Sequence, residues 1–109
     1  MVELSKDAQK LLSVLYKTYR ARLKAGMTKR NSRDFQFNKI VEIRGVLGWS
    51  QDDLLETERE LINAGFLRAY MMGACELEDP AIIYMENRSK NQIADAVNVA
   101  LDIASKFVP

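Results

Sequence analysis

Apolar residues recur every three or four positions through the first quarter of the chain, which predicts a long amphipathic helix. Its apolar set is Leu4, Ala8, Leu11, Leu12, Leu15, Tyr19 and Leu23. Ser5 is placed to cap the amino end, and Gly26 is placed to end the helix after about twenty residues. At 1.5 Å per residue the predicted helix is about 30 Å long.

Residues 27–33 are polar and basic and show no apolar period, which predicts a loop. Phe35 and Phe37 alternate with polar residues, so a short strand is possible there. A second helix is predicted from Phe37 or Asn38 to Leu47. Gly45 lies inside that helix and weakens it by up to about 1 kcal/mol relative to alanine.

The strongest local signals lie in the centre of the chain, from Gly48 to Gly65. Gly48 suits a helix end followed by a sharp turn. Ser50 and Asp53 form a Ser-x-x-Asp capping signal for a third helix. Its apolar residues Leu54, Leu55, Leu61 and Ile62 recur at spacings of seven and eight and therefore share one face. Gly65 is placed to end this helix.

A β-hairpin is predicted after the third helix. Residues 66–72 are rich in strand formers, and the acidic residues 76–80 are predicted to be the hairpin tip or the start of its returning limb. Residues 82–85 are predicted to be the returning strand. A last helix is predicted from Lys90 to Phe107, after a turn at residues 87–89.

The predicted last helix carries apolar residues on more than one face. A surplus of this kind is typical of an interface, most simply with the same helix of a second copy. The residues predicted to form this homodimer contact are Ile93, Val97, Ala100, Leu101 and Ala104. The alternative is that the helix packs along the first helix of its own chain. We predict a single domain over residues 1–109, with a core at 5–86 and the C-terminal helix at 89–107.

Composition argues against an enzyme. The chain has no histidine and one cysteine, Cys75, so His-based triads, His metal sites and internal disulfides are excluded. No glycine-rich phosphate loop is present, and the clustered carboxylates lack the spacing of a calcium loop. We therefore predict no catalytic residue, no cofactor and no metal. Without a signal peptide or a membrane-spanning apolar run, a cytoplasmic protein with no membrane association is predicted.

The formal net charge of +1 conceals a strong asymmetry. Residues 1–48 carry eleven Lys/Arg and four Asp/Glu, a net of +7, whereas residues 49–109 carry five and eleven, a net of −6. Eight basic residues and no acidic one lie between Asp7 and Asp34. A block of this kind indicates an anionic partner or a solvated face.

The chain resembles winged helix-turn-helix proteins over residues 5–86. The resemblance rests on Leu47-Gly48-Trp49-Ser50, on Leu54 with Leu61-Ile62, and on Gly65-Phe66-Leu67 ahead of the hairpin. It implies a mostly helical α+β fold, with a three-helix core, a β-hairpin wing and here a C-terminal dimerisation helix. It also implies a small bacterial or phage regulator that binds DNA as a homodimer.

The third helix departs from that pattern because it is acidic. It carries five carboxylates, at Asp52, Asp53, Glu56, Glu58 and Glu60, and one basic residue, Arg59. Phosphate neutralisation by Lys and Arg supplies much of the affinity for DNA, so this helix suits the major groove poorly. The alternative function is a winged-helix protein-protein interaction module that does not bind DNA.

The predicted nucleic-acid contacts therefore come mainly from the basic block. Its residues are Arg20, Arg22, Lys24, Lys29, Arg30 and Arg33. Arg59 and Arg68 are secondary candidates for phosphate contacts, and Gln51 is a candidate for contacting base edges.

Overall fold

The computed structural model describes residues 3–88, with Met72 described at the level of its backbone only. This part of the chain forms an α+β fold that is mostly helical and includes a small three-stranded antiparallel sheet. The elements are α1 (Lys6–Lys24), α2 (Lys29–Ser32), β1 (Asp34–Phe35), α3 (Phe37–Leu47), α4 (Gln51–Asn63), β2 (Leu67–Ala69), a 3-10 turn (Met71–Gly73), β3 (Cys75–Leu77) and α5 (Asp79–Asn87).

The predicted helix caps are confirmed. The hydroxyl of Ser5 accepts a hydrogen bond from the amide of Ala8, and that of Ser50 accepts one from the amide of Asp53, each at 3.1 Å. Both bonds satisfy amides that have no partner within the helix. Gly48 ends α3 with φ at 75°, in the left-handed region that costs glycine little. These local signals fix where α1, α3 and α4 begin or end.

Replacing the exposed Ser50 by alanine should lower the free energy of unfolding by about 1 kcal/mol, because the Asp53 amide loses its acceptor. Urea unfolding of the two proteins measures this difference as a lower midpoint. Ser50→Asp is the matched control, since a carboxylate keeps an acceptor at the cap and should leave the midpoint close to that of the natural chain. Equal midpoints for alanine and serine would contradict this account of the cap.

One helix lies where the sequence predicts only a loop. Residues 27–33 contain α2, a single turn that begins after Thr28. The Thr28 hydroxyl accepts from the amide of Asn31 at 3.1 Å, which is the same capping pattern as in α1 and α4. The prediction of a loop was wrong here because the segment is too short to show an apolar period. The possible short strand near Phe35 is confirmed as β1.

The returning strand of the hairpin lies earlier than predicted. Residues 75–77 form it as β3, whereas the predicted strand at residues 82–85 is part of helix α5. Pro80 lies in the first turn of α5, a position where proline's missing amide costs nothing. Ala81, Ile82 and Met85 are buried, while Ile83 is 55% exposed. That pattern has a helical period and does not alternate, so the apolar run was wrongly assigned to a strand.

The sheet has the strand order β1-β3-β2, and both pairs are antiparallel. Phe35 pairs with Cys75 across β1 and β3, and Leu67 pairs with Leu77 across β2 and β3. The 3-10 turn connects β2 to β3. On the central strand β3, Cys75 and Leu77 are buried and Glu76 between them is not, so one face of the sheet packs on the core.

A single hydrophobic core joins the helices to the sheet. It takes the apolar face of α1, Phe35 from β1, and buried residues from α3, α4, the hairpin and α5. The three predicted helices of the core correspond to α1, α3 and α4, to which α2 and α5 are added. No helix within residues 3–88 is long and apolar enough to cross a membrane. The predicted C-terminal helix and its dimer contacts lie outside the described residues.

Candidate nucleic-acid interface

The exposed side of α1 carries a row of basic residues that continues onto α2. Lys10, Lys17 and Lys24 are seven positions apart, so they lie along one face of α1. Arg20 lies on the same side, between Lys17 and Lys24. The short helix α2 packs against α1 and adds the exposed Lys29 and Arg30. We call Lys17, Arg20, Lys24, Lys29 and Arg30 the basic face.

Arg20 is held on this surface by an aromatic neighbour. Its Nη1 donates to the Tyr16 hydroxyl at 3.4 Å, and its guanidinium lies 6.0 Å from the centre of the Tyr16 ring. Tyr16 is four residues earlier, so the two side chains are neighbours on the helix surface. The contact orients the guanidinium while leaving Arg20 exposed to solvent. Such an arrangement suits contact with an anionic group.

Arg22 lies inside the protein, which differs from its predicted place among exposed phosphate contacts. It is 7% exposed, and its Nη1 donates to the backbone carbonyls of Ser32, at 3.3 Å, and Asp34, at 2.7 Å. The guanidinium also lies 4.8 Å from the centre of the Phe35 ring. Burial lowers the pKa of Arg22, and the nearby Asp34 carboxylate opposes that shift. Arg22 therefore fastens α1 to α2 and β1 and is not available to a phosphate.

Two other predicted phosphate contacts are paired with carboxylates. Arg33 Nη1 lies 2.6 Å from Asp79 Oδ1, and this hydrogen bond raises the pKa of Arg33. Arg68 Nε lies 3.4 Å from Glu78 Oε1. Each pair places a negative charge beside the arginine, so both residues attract a phosphate less than Lys24, Lys29 or Arg30 does.

The outward side of α4 is acidic, as the sequence predicts. Asp52, Asp53 and Glu56 are exposed there, and Arg59 is the one basic residue of this helix. Glu60 accepts hydrogen bonds from the backbone amide and the hydroxyl of Ser5, each at 2.7 Å. Gln51 lies at the start of α4 and faces α3 rather than α1. The structure therefore separates Gln51 from the basic face, and Arg59 is exposed on α4.

Glu58 is buried, which the sequence analysis did not foresee. It is 4% exposed, and its Oε2 has no hydrogen-bond partner among the described residues. Burial raises the pKa of Glu58 to about 7, although a hydrogen bond with the Cys75 side chain opposes the shift. The sequence spacing could have predicted this burial, because Glu58 lies between Leu54 and Leu61 on the apolar face of α4.

Gly73 of the 3-10 turn lies directly over the Glu58 carboxyl group. A side-chain carbon at Gly73 would lie 3.6 Å from Glu58 Oε1 and from Leu55 Cδ2. The φ of Gly73 is 85°, which other residues rarely adopt. The turn between β2 and β3 is thus built closely over a buried carboxyl group.

Neither a metal site nor a related protein gives further information on the function of this surface. Within residues 3–88, no three Asp, Glu, Cys or His side chains are grouped so that they could hold a metal ion. No protein-family model matches the chain, and comparison with curated proteins and with solved structures gives no match either. The argument for function therefore rests on the surface itself.

Proposed function

We propose that residues 5–86 form a winged helix-turn-helix. In this interpretation α3, the turn at residues 48–50 and α4 are the helix-turn-helix, and β2 with β3 is the wing. The order of elements supports it, because one strand precedes the helix pair and two follow. The strand order β1-β3-β2 supports it as well, since β1 pairs with β3 and extends the β2–β3 hairpin to a three-stranded sheet.

We further propose that the protein is a DNA-binding regulator that contacts DNA through its basic face. The observation that carries this proposal is the exposure of Arg20, Lys24, Lys29 and Arg30 on two adjoining helices. No carboxylate lies between Asp7 and Asp34 to neutralise them. The acidic α4 supports the same choice of surface, since it would meet phosphates with like charge.

The contact proposed here is made to the phosphate backbone. Each Lys or Arg that neutralises a phosphate releases a bound counterion, so the affinity falls steeply as salt increases. The long side chains of the basic face can reach phosphates without any helix entering a groove. Backbone contacts of this type hold the protein on DNA but carry no sequence information. Arg22 and Gln51 take no part in this proposal.

A salt titration with two matched triple variants tests the basic face. Replacing Lys24, Lys29 and Arg30 by glutamine should weaken binding to a 30-base-pair duplex and lower the slope of log K against log salt by about 3. Fluorescence anisotropy between roughly 50 and 200 mM salt, the range over which this effect is large, measures both quantities. The control replaces Arg44, Arg59 and Arg68 by glutamine, which removes the same charge from α3, α4 and β2.

The control variant should keep most of the affinity for DNA and most of the slope of log K against log salt. Equal losses in the two variants would show that only net charge matters, and a larger loss in the control would place the contact at α3, α4 and the hairpin. Either result contradicts the proposal. No binding at micromolar protein and low salt would favour the alternative of a winged-helix protein-protein interaction module.

The proposal includes a homodimer, as the sequence predicts for residues 89–107. Two copies would double the number of phosphate contacts on one duplex. Because the two basic faces would be joined in one dimer, the second would bind at a high effective concentration and the overall affinity would rise. The apolar surplus at Ile93, Val97, Ala100, Leu101 and Ala104 supports this part of the proposal.

A further inference from the structure

A small apolar groove lies between α3 and α4 and ends at the 3-10 turn. Its lining residues are Phe37, Ile40, Val41, Arg44, Gln51, Leu54, Leu55 and Gly73. The cavity within it measures about 110 Å³. We call this feature the α3–α4 groove. None of its residues belongs to the basic face on α1 and α2.

The edges of the α3–α4 groove are exposed apolar side chains. Phe37 is 44% exposed, and Val41 and Leu55 are each 37% exposed. Isolated apolar residues are common on protein surfaces, but these three come together from two helices around one cavity. Apolar clusters of this kind mark places where another molecule binds.

The size of the cavity identifies what can enter it. Pockets for drug-sized ligands and cofactors measure roughly 300–1,000 Å³, several times more than this groove offers. An engineered cavity of about 150 Å³ holds one benzene molecule. A space of 110 Å³ therefore fits one large apolar side chain. Phe37, Val41 and Leu55 remain exposed around this space, which indicates that the side chain belongs to a larger partner.

Charge distinguishes the two sides of the groove. On the α4 side, next to Leu55, the exposed Asp52 and Glu56 form an acidic flank. The α3 side contributes Arg44. A partner segment that lies along α4 therefore gains from positive charge.

We propose that the α3–α4 groove binds an amphipathic helix of a partner protein. The helix would insert one large apolar side chain between Val41 and Leu55, with Lys or Arg beside Asp52 and Glu56. This is the helix-in-groove mode, in which an apolar anchor supplies affinity and flanking charges supply orientation. The proposal does not depend on DNA binding, because the two surfaces share no residue.

Helices α1 and α5 and the predicted C-terminal helix of a second copy fit the groove less well. Arg20 and Lys24 of α1 are exposed, but its large apolar side chains are not among the exposed hydrophobics of the described part. The exposed Ile83 of α5 has Glu86 and Asn87 beside it and no basic flank. The predicted C-terminal helix, residues 90–107, carries two Lys and two Asp and so has no net positive charge.

The test uses the full chain labelled with nitrogen-15 and three synthetic peptides. The first is a helix with leucines on one face and lysines on the other, the second has glutamates in place of the lysines, and the third scrambles the first so that no apolar face forms. Amide shifts in two-dimensional NMR spectra report where each peptide binds. The first peptide should shift the amides of Phe37, Val41, Leu55 and Gly73, and at least tenfold more of the other two should be needed for the same shift.

Two variants of one helix separate groove binding from general attraction. Val41 and Val46 are both on α3 and are 37% and 42% exposed, but only Val41 lines the groove. Val41→Gln should weaken the first peptide about tenfold, whereas Val46→Gln should leave its affinity unchanged. Thermal unfolding of both variants checks that neither loses its fold. Equal affinities for the two variants, or shifts spread over the acidic surface without focus on the groove, would overturn the proposal.

Dilution of the protein without peptide tests whether a second copy occupies the groove. Groove amides that move with protein concentration in the absence of peptide would show that a second copy occupies the groove, and the proposed partner would then be wrong. Groove amides that stay constant on dilution and move with the first peptide support a cationic amphipathic helix as the partner.

Discussion

Replacing Glu58 by glutamine should raise the free energy of unfolding at pH 8 by about 3 kcal/mol. Burial raises the pKa of Glu58 from 4.5 to about 7 in the folded protein. One pKa unit corresponds to 1.36 kcal/mol of difference between the two protonation states. At pH 8 the natural chain must hold an ionised carboxylate in a buried place, with one oxygen that has no hydrogen-bond partner within residues 3–88. Glutamine has the same shape and carries no charge, so it removes that cost.

The pH dependence of the free energy of unfolding tests this prediction more sharply than a single measurement at pH 8. The folded state holds the Glu58 proton more tightly than the unfolded state, so its contribution to stability is complete below pH 4.5. That contribution falls as the pH rises towards 7 and is lost above it. The Cys75 thiol beside Glu58 does not titrate in this window, since burial raises its pKa well above the ordinary value. Urea unfolding at several pH values between 4.5 and 8 follows the change.

The control is Glu56→Gln, on the same helix but exposed. It should keep the fall in stability between pH 4.5 and 7, whereas Glu58→Gln should reduce the fall by about 3 kcal/mol relative to the natural chain. Parallel profiles for the natural chain and Glu58→Gln would show that the buried carboxyl group is not the titrating group.

Replacing Arg22 by alanine should destabilise the protein by about 3 kcal/mol or more. The change removes two hydrogen bonds from a charged donor, each worth about 1.5–3 kcal/mol, and leaves the buried Ser32 carbonyl and the part-buried Asp34 carbonyl without that donor. It also removes the contact with the Phe35 ring, which contributes about 1 kcal/mol at such sites. Urea unfolding measures the loss. Arg22→Lys should recover only part of it, because an ammonium group lacks the planar fork of guanidinium.

Arg20→Ala is the matched control for Arg22→Ala. Arg20 lies two residues away on α1 and is exposed, so its loss should change stability by no more than about 0.5 kcal/mol. If Arg22→Ala were equally mild, the interior role assigned to Arg22 would be wrong. The same reasoning explains why Arg22 is not in the triple variant for DNA binding. A loss of DNA binding in an Arg22 variant would follow from loss of the fold.

The elements that could be predicted are those with complete local signals. Helices α1 and α4 each have a serine cap and a long amphipathic pattern, and the structure confirms both. Helix α3 has a weaker start, but Gly48 marks its end. In each case the signal lies within a few residues of the feature it predicts, so no knowledge of the rest of the fold is needed.

The elements that were missed depend on more distant parts of the chain. The run Ile82-Ile83-Tyr84-Met85 is apolar enough for a strand, and only packing against α1 shows which side faces inward. The strand β3 is three residues long and is defined by neighbours on both sides. Too few residues lie in such a strand to show alternation.

The same limit applies to single residues of the candidate interface. In the sequence, Arg22 and Arg20 belong to one basic block, and Glu58 belongs to one acidic helix. Charge counting treats the members of each block as equivalent. Burial separates them, because Arg22 meets the carbonyls of residues 32 and 34 and Glu58 meets β3. The overall charge asymmetry was predictable from sequence, but the members available to a partner were not.

The alkylation rate of the Cys75 thiol can be used to measure local opening of the folded protein. It is the one cysteine of the chain, is 1% exposed, and lies on the central strand β3. A thiol-specific alkylating reagent can reach its sulfur only when the structure packed around β3 opens. The alkylation rate therefore reports how often that part of the fold opens under native conditions. No label has to be introduced, and every variant discussed above leaves Cys75 in place.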